Sequence, residues 1–189
     1  MLATGTHCSK GRQKCVLGVK MKVNIAIGSE NYKSGYVNID PTLQRKSETV
    51  SLENANQEQT NIVKCDIRNI DDIVSNSECK ELVAIDVLDF LEWSESRHVL
   101  AHWISKLRHG GKITVGGTDI LEVCRLFYKQ AIDLKTLNSL IHGEFSQAWD
   151  VKMGHSTMED LKTFLESQGI RVTKQRIKGF KMIVEGERP

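Results

Sequence analysis

The stretch ELVAIDVL, residues 81–88, is apolar on both faces that a β-strand would present, with Asp86 set inside it. A strand with one solvated face alternates polar and apolar residues. A nearly unbroken apolar run instead fits a parallel strand covered on both sides. Parallel neighbours need long crossover connections, usually helical. This segment therefore asks for an α/β fold, and the rest of the chain has to supply its neighbours and helices.

The flanks carry the required periods. VNIAIG alternates at Val23, Ile25 and Ile27, and GYVNID follows after a turn containing Ser34 and Gly35. NIVKCDI (61–67) and KITVGG (112–117) read as further strands. Val99, Leu100, Trp103, Ile104 and Leu107 form one helical stripe, with Ser94 or Ser96 as cap and Gly110–Gly111 as stop. Residues 119–132 and 134–141 have helical spacing, and NIDDIVSN reads as a short helix. STME (156–159) is a capping box, in which Ser156 caps and Glu159 reaches back, ahead of a helix buried through Leu161, Phe164 and Leu165 and ended by Gly169. IRVTKQRI and FKMIVEG then form a hairpin around Lys178-Gly179. The polar stretch 41–60 reads as a long surface loop with a helical turn near 51–56. Strands alternating with helices predict a mostly parallel sheet with helices on both faces and a C-terminal antiparallel hairpin.

The length of 189 residues fits one domain. Residues 1–20 are polar, basic and aperiodic, so they read as an extension or leader, with the folded domain at 21–189. The net charge of +2 gives no argument for nucleic acid, and no apolar run reaches the ~20 residues of a membrane span. Five irregularly spaced cysteines fit a reduced, cytoplasmic protein. His7, Cys8 and Cys15 have weak metal-ligand spacing, and His98, His102 and His109 fit a solvent-facing helix, so no metal site is predicted.

The ordered motifs resemble the compact class I S-adenosylmethionine-dependent methyltransferases. Gly28-Ser29 ends the first strand, GYVNID ends in Asp40, CDI ends a third strand, VLDFL follows the fourth, and LRHGGKITV leads to TDI. That family reads L-N-x-G-x-G…G-[WY]-x-N-x-D over the first part. The resemblance runs from Lys22 to about Gly186 and implies a Rossmann-like three-layer sandwich. It implies S-adenosylmethionine as cofactor, with Gly28 and Ser29 at its methionine part and Asp40 on the ribose hydroxyls. Asp66 would accept from the adenine amino group and Ile67 would pack on the ring. Asp86, inside the fourth strand, is either near its open end and on the cofactor side or paired structurally. Asp89 would face the methyl group or substrate, Asp119 would lie at the mouth beyond the fifth strand, and His155, near Trp149, would be a base or substrate contact. A small-molecule or glycan-like acceptor is implied by analogy alone.

Each residue also has a structural alternative. Asp40 precedes Pro41 and fits a turn cap, and Asp66 fits a cap of the segment after it. Three departures stand out. Glu30 replaces the second glycine, so its carboxylate either turns outward or changes how the loop meets the cofactor. Phe90 replaces the family's histidine, and Thr118 its proline. Only seven residues separate Gly28 from Tyr36. Glu30 and Phe90 favour the alternative function, a catalytically inactive methyltransferase-like binding protein. A nicotinamide-dependent oxidoreductase is disfavoured by the missing G-x-G-x-x-G.

Overall fold

The computed structural model describes residues 21–43, 47–50, 60–147 and 149–189, with the side chains of 47–50 and 60 excepted. Its strands are β1 (Lys22–Ile25), β2 (Val37–Ile39), β3 (Ser47–Val50), β4 (Thr60–Val63), β5 (Cys79–Ile85), β6 (Leu107–Thr118), β7 (Arg171–Lys178) and β8 (Lys181–Glu187). The α-helices are α1 (Trp93–Lys106), α2 (Ile120–Tyr128), α3 (Leu134–His142) and α4 (Met158–Ser167).

One sheet runs in the order β3-β4-β2-β1-β5-β6-β8-β7. The inner pairs β4-β2, β2-β1, β1-β5 and β5-β6 are parallel. The outer pairs β3-β4, β6-β8 and β8-β7 are antiparallel. From β1 the chain runs outward through β2 to β4, then returns to β5 on the other side of β1. The carboxyl ends of β1 and β5 thus flank a topological switch point, the place where open α/β sheets bind ligands.

Alternation along the strands decides which face is covered. Val23, Ile25, Leu82, Ala84, Ile113, Val115, Met182 and Val184 share one face and form a single core with Val99, Leu100 and Trp103 of α1 and with Leu161 and Leu165 of α4. Trp103 satisfies its indole N–H on the Ile67 carbonyl at 2.8 Å, which lets the ring be buried completely.

The Rossmann-like α/β sheet with its closing hairpin is as expected, while several local features differ. The third inner strand ends at Val63 and not at 67, and β3 lies within the stretch expected to be loop. The helical turn expected near 51–56 and the extension at 1–20 fall outside the described residues. Residues 69–76 form turns and not a helix. The cap of α1 is Glu92, whose carboxylate accepts from the Ser94 and Glu95 amides, and not Ser94 or Ser96. The cap of α4 is Thr157 and not Ser156. In both cases adjacent polar residues compete, and the one with extended backbone just outside the helix takes the role.

The short β1–β2 connection holds its shape through two buried asparagines. Asn24 and Asn38 are 2% and 0% exposed. The Asn24 amide donates to Asn38 Oδ1 at 2.7 Å and to the Asn31 carbonyl at 2.9 Å. Asn38 Oδ1 also accepts from the Lys33 N–H at 2.8 Å, and its amide donates to the Lys33 and Tyr36 carbonyls at 3.0 and 3.3 Å. Every donor and acceptor of Asn38 is used, so a loop with no α-helix is pinned from beneath. An Asn38→Leu variant strands several buried polar groups at once. It should lose about 3 kcal/mol of stability in urea denaturation with the m-value unchanged. A loss under about 0.5 kcal/mol contradicts the pinning.

Candidate functional site

Gly28 leaves β1 with φ 86° and ψ 144°, a conformation closed to other residues without strain. Its N–H points across to the tip of β2 and donates to Asp40 Oδ2 at 3.2 Å. Asp40 is 1% exposed, so its carboxylate must be satisfied by the protein. The Tyr32 hydroxyl donates to Oδ2 at 2.7 Å. The Thr42 N–H and hydroxyl donate to Oδ1 at 2.7 and 2.6 Å. Two donors on each oxygen fill the acceptor capacity of a carboxylate. Asp40 is therefore at the expected strand tip, and it also caps the turn at Pro41-Thr42.

Ser29 opens a 3-10 turn, Ser29–Asn31, in which Glu30 lies back over the glycine. A Cβ added at Gly28 would come 2.5 Å from Glu30 Oε1. Glu30 is exposed at the surface, with its carboxylate beside the glycine. Asn31 holds the turn by donating to the Ile27 carbonyl at 2.8 Å.

The tips of β5 and β6 carry the second half of the site. Asp86 directly follows β5 with φ 56° and pairs with Lys181 Nζ at 2.5 Å. Asp89 lies in the following 3-10 turn and is 4% exposed. Its carboxylate accepts from the Thr118 N–H at 3.1 Å and faces Lys152 Nζ at 3.6 Å. Lys152 also donates to the Thr118 hydroxyl at 3.0 Å and the Leu140 carbonyl at 3.1 Å. Lys152 thus ties the segment after α3 to both strand tips. Burial pushes the Asp89 carboxyl above the usual range, while Lys152 and the Thr118 bond pull it down. His155 lies near enough to Asp89 for its charge to be felt, and its buried Nδ1 has no hydrogen-bond partner among the described residues.

A cleft of about 400 Å³ opens above these tips. Ile27, Glu30, Asp86, Phe90, Trp149 and Lys152 help to line it. Phe90 meets Trp149 edge to face at 6.0 Å between ring centres.

The remaining expected residues have structural employment. Asp119 caps α2 through the Glu122 N–H at 3.1 Å and holds the first residue of α4 through the Met158 N–H at 2.8 Å. The Ile67 side chain is buried in the core. Asp66 is exposed and accepts from the Arg68 N–H at 3.0 Å, which is its turn-cap alternative. Tyr32, Thr42 and Lys152 were missed. Thr42 had a signal, since Asp-Pro-Thr fits a local side-chain turn. Tyr32 and Lys152 had none, because loop conformation alone brings them in. Among the described residues, no group of three or more His, Cys, Asp or Glu is placed to hold a metal.

No protein-family model and no curated protein matches the sequence. Solved structures do match in shape. A SAM-dependent methyltransferase from Methanosarcina mazei aligns with TM-score 0.61 at 11% identity, over 89% of this chain and 93% of its own. One from Thermotoga maritima aligns with TM-score 0.57 at 14% identity, over 93% and 86%. The magnesium protoporphyrin IX methyltransferase of Synechocystis PCC 6803, with SAH bound, aligns with TM-score 0.53 at 12% identity, over 89% and 74%. The fold is that of the class I S-adenosylmethionine-dependent methyltransferases.

The raised Asp89 carboxyl has a sign that can be measured. A group whose folded pKa lies above its unfolded value of 3.8 favours the folded state below that value and loses this contribution as pH rises through the folded pKa. Measured against Asp89→Asn by urea denaturation, the wild type should lose relative stability as pH rises from below 3.8 through the raised value. A relative gain over that window contradicts the burial argument.

Proposed function

We propose that this chain is an S-adenosylmethionine-dependent methyltransferase whose acceptor lies in the cleft above the tips of β5 and β6. The observation that carries the reading is the bond from the Gly28 N–H to Asp40. It joins the first loop to the acid at the tip of the second strand, beside the switch point of the sheet. The same end of the sheet carries the acceptor cleft.

The backbone fits a ribose-bearing cofactor. Gly28 keeps Cβ bulk out of the cradle, and the nearest atoms across that space belong to the flexible end of Glu30. Asp40 is the acceptor for the ribose diol, and exposed Asp66 is the acceptor for the adenine amino group. Ser29 lies at the methionine end. When bound, the cofactor supplies an electrophilic methyl group on a sulfonium. The protein's share is to hold the acceptor in line and keep water out, which needs orientation more than acid–base chemistry.

Asp86 and its Lys181 partner border the cleft. Asp89 acts as a positioning residue by fixing Lys152, and His155 Nδ1, unpartnered among the described residues, stands as a base or substrate contact. Asp119 and Ile67 are left out of this assignment, since helix capping and the core absorb them. The cleft admits a small molecule or the end of a glycan. The free cysteines among the described residues, Cys65, Cys79 and Cys124, support a reducing, cytoplasmic setting.

Calorimetric titration with S-adenosylhomocysteine tests this. The wild type should bind in the micromolar range, and Asp40→Asn at least about tenfold more weakly, the usual size of a lost charge-assisted hydrogen bond. Asn is preferred to Ala because it keeps most of the turn's partners. An Asp40→Asn variant that binds as tightly as the wild type overturns the assignment, as does a protein that binds nothing even after the side chains that cover Asp40 are substituted.

A further inference from the structure

The four donors on Asp40 differ in kind. Two are backbone amides, of Gly28 and Thr42, fixed by the chain. Two are hydroxyls, of Tyr32 and Thr42, one on each carboxylate oxygen. A ribose presents two vicinal hydroxyls that also need one position on each oxygen. We infer that Tyr32 and Thr42 are stand-ins for a diol, so that the cradle is capped by the protein's own hydroxyls and opens by exchanging them for those of the ligand.

The cap solves a problem specific to this chain. The connection from β1 to β2 has a single 3-10 turn and no α-helix, so it brings no α-helix N-terminus to the carboxylate of Asp40. A carboxylate that is 1% exposed with only two amide donors would be under-satisfied without a ligand. The hydroxyls complete its shell, and each leaves by rotation about side-chain bonds. Larger loop movement is resisted, because Asn24 holds the Asn31 carbonyl and Asn38 holds both polar backbone groups of Lys33. The residues on either side of Tyr32 are therefore anchored, and the moving part is the ring. Glu30, on the same turn, lies over Gly28 and swings as a side chain too.

This inference rests on the methyltransferase reading of the cradle. Its energetic signature is that a site open for only part of the time binds more weakly by that fraction. Removing a capping hydroxyl should therefore weaken the empty protein and strengthen the complex.

The test is calorimetry with S-adenosylhomocysteine, together with melting of the ligand-free protein, on the wild type, Tyr32→Phe and Thr42→Val. Each variant should melt lower than the wild type without ligand and bind about tenfold more tightly, the effect of freeing one charge-assisted position. If the wild type binds and both folded variants bind equally well or more weakly, the cap is overturned while the cofactor assignment stands. If the wild type is silent and a variant binds, both stand. If the wild type and both variants are silent, the cradle does not take the cofactor, and both fall. Thr42→Val keeps the side-chain shape, so the test survives a Tyr32→Phe variant that fails to fold.

Discussion

A carboxylate held at the end of a buried strand must find donors, and the arrangement around Asp40 follows from that requirement. Its two oxygens gather the first loop through Gly28, the 3-10 turn through Tyr32 and the following turn through Thr42. The backbone of that loop is fixed separately, by Asn24 and Asn38 one layer below. The division matters for function. A rigid backbone sets where a ligand would sit, while hydroxyls and a glutamate end set whether it can enter.

The other half of the site is built on a second buried acid. Asp89 is drawn under the tips of β5 and β6, and a Cβ at Gly117 would come 2.7 Å from its Oδ1. The backbone carbonyl of Asp89 also accepts from the amides of Met153 and Gly154 at 2.8 and 3.2 Å. Lys152 meets the carboxylate from above and reaches Leu140 in α3. The segment between α3 and α4 is thereby clasped to the sheet from both ends of one residue. The strand tip that shapes the cleft floor also fixes its cover, so changes at Asp89 act on the shape of the cleft.

Periodicity made most of the fold legible. The buried run at 81–88 located the central parallel strand, and the stripe from Val99 to Ile104 located the helix that covers it. What periodicity could not provide was the choice between adjacent alternatives. Glu92 over Ser94, and Thr157 over Ser156, were decided by backbone conformation at the helix entrance. β3 is a polar segment that becomes a strand by pairing with β4, a tertiary effect absent from its own pattern. In the site, Asp40 and Gly28 were legible because strand ends are. Their partners were not, because a tyrosine or lysine in an irregular loop carries no period. Asp119 read as a mouth residue from its place after β6, but the same place begins two helices, whose unpaired amides claimed both its oxygens.

The measurement that bears most directly on this account is a crystal structure of the protein with S-adenosylhomocysteine. The account predicts both ribose hydroxyls within hydrogen-bond distance of Asp40, one on each oxygen, with the Gly28 and Thr42 amides in place and the Tyr32 and Thr42 hydroxyls withdrawn. A ligand bound elsewhere, with the Tyr32 and Thr42 hydroxyls still on Asp40, would contradict it.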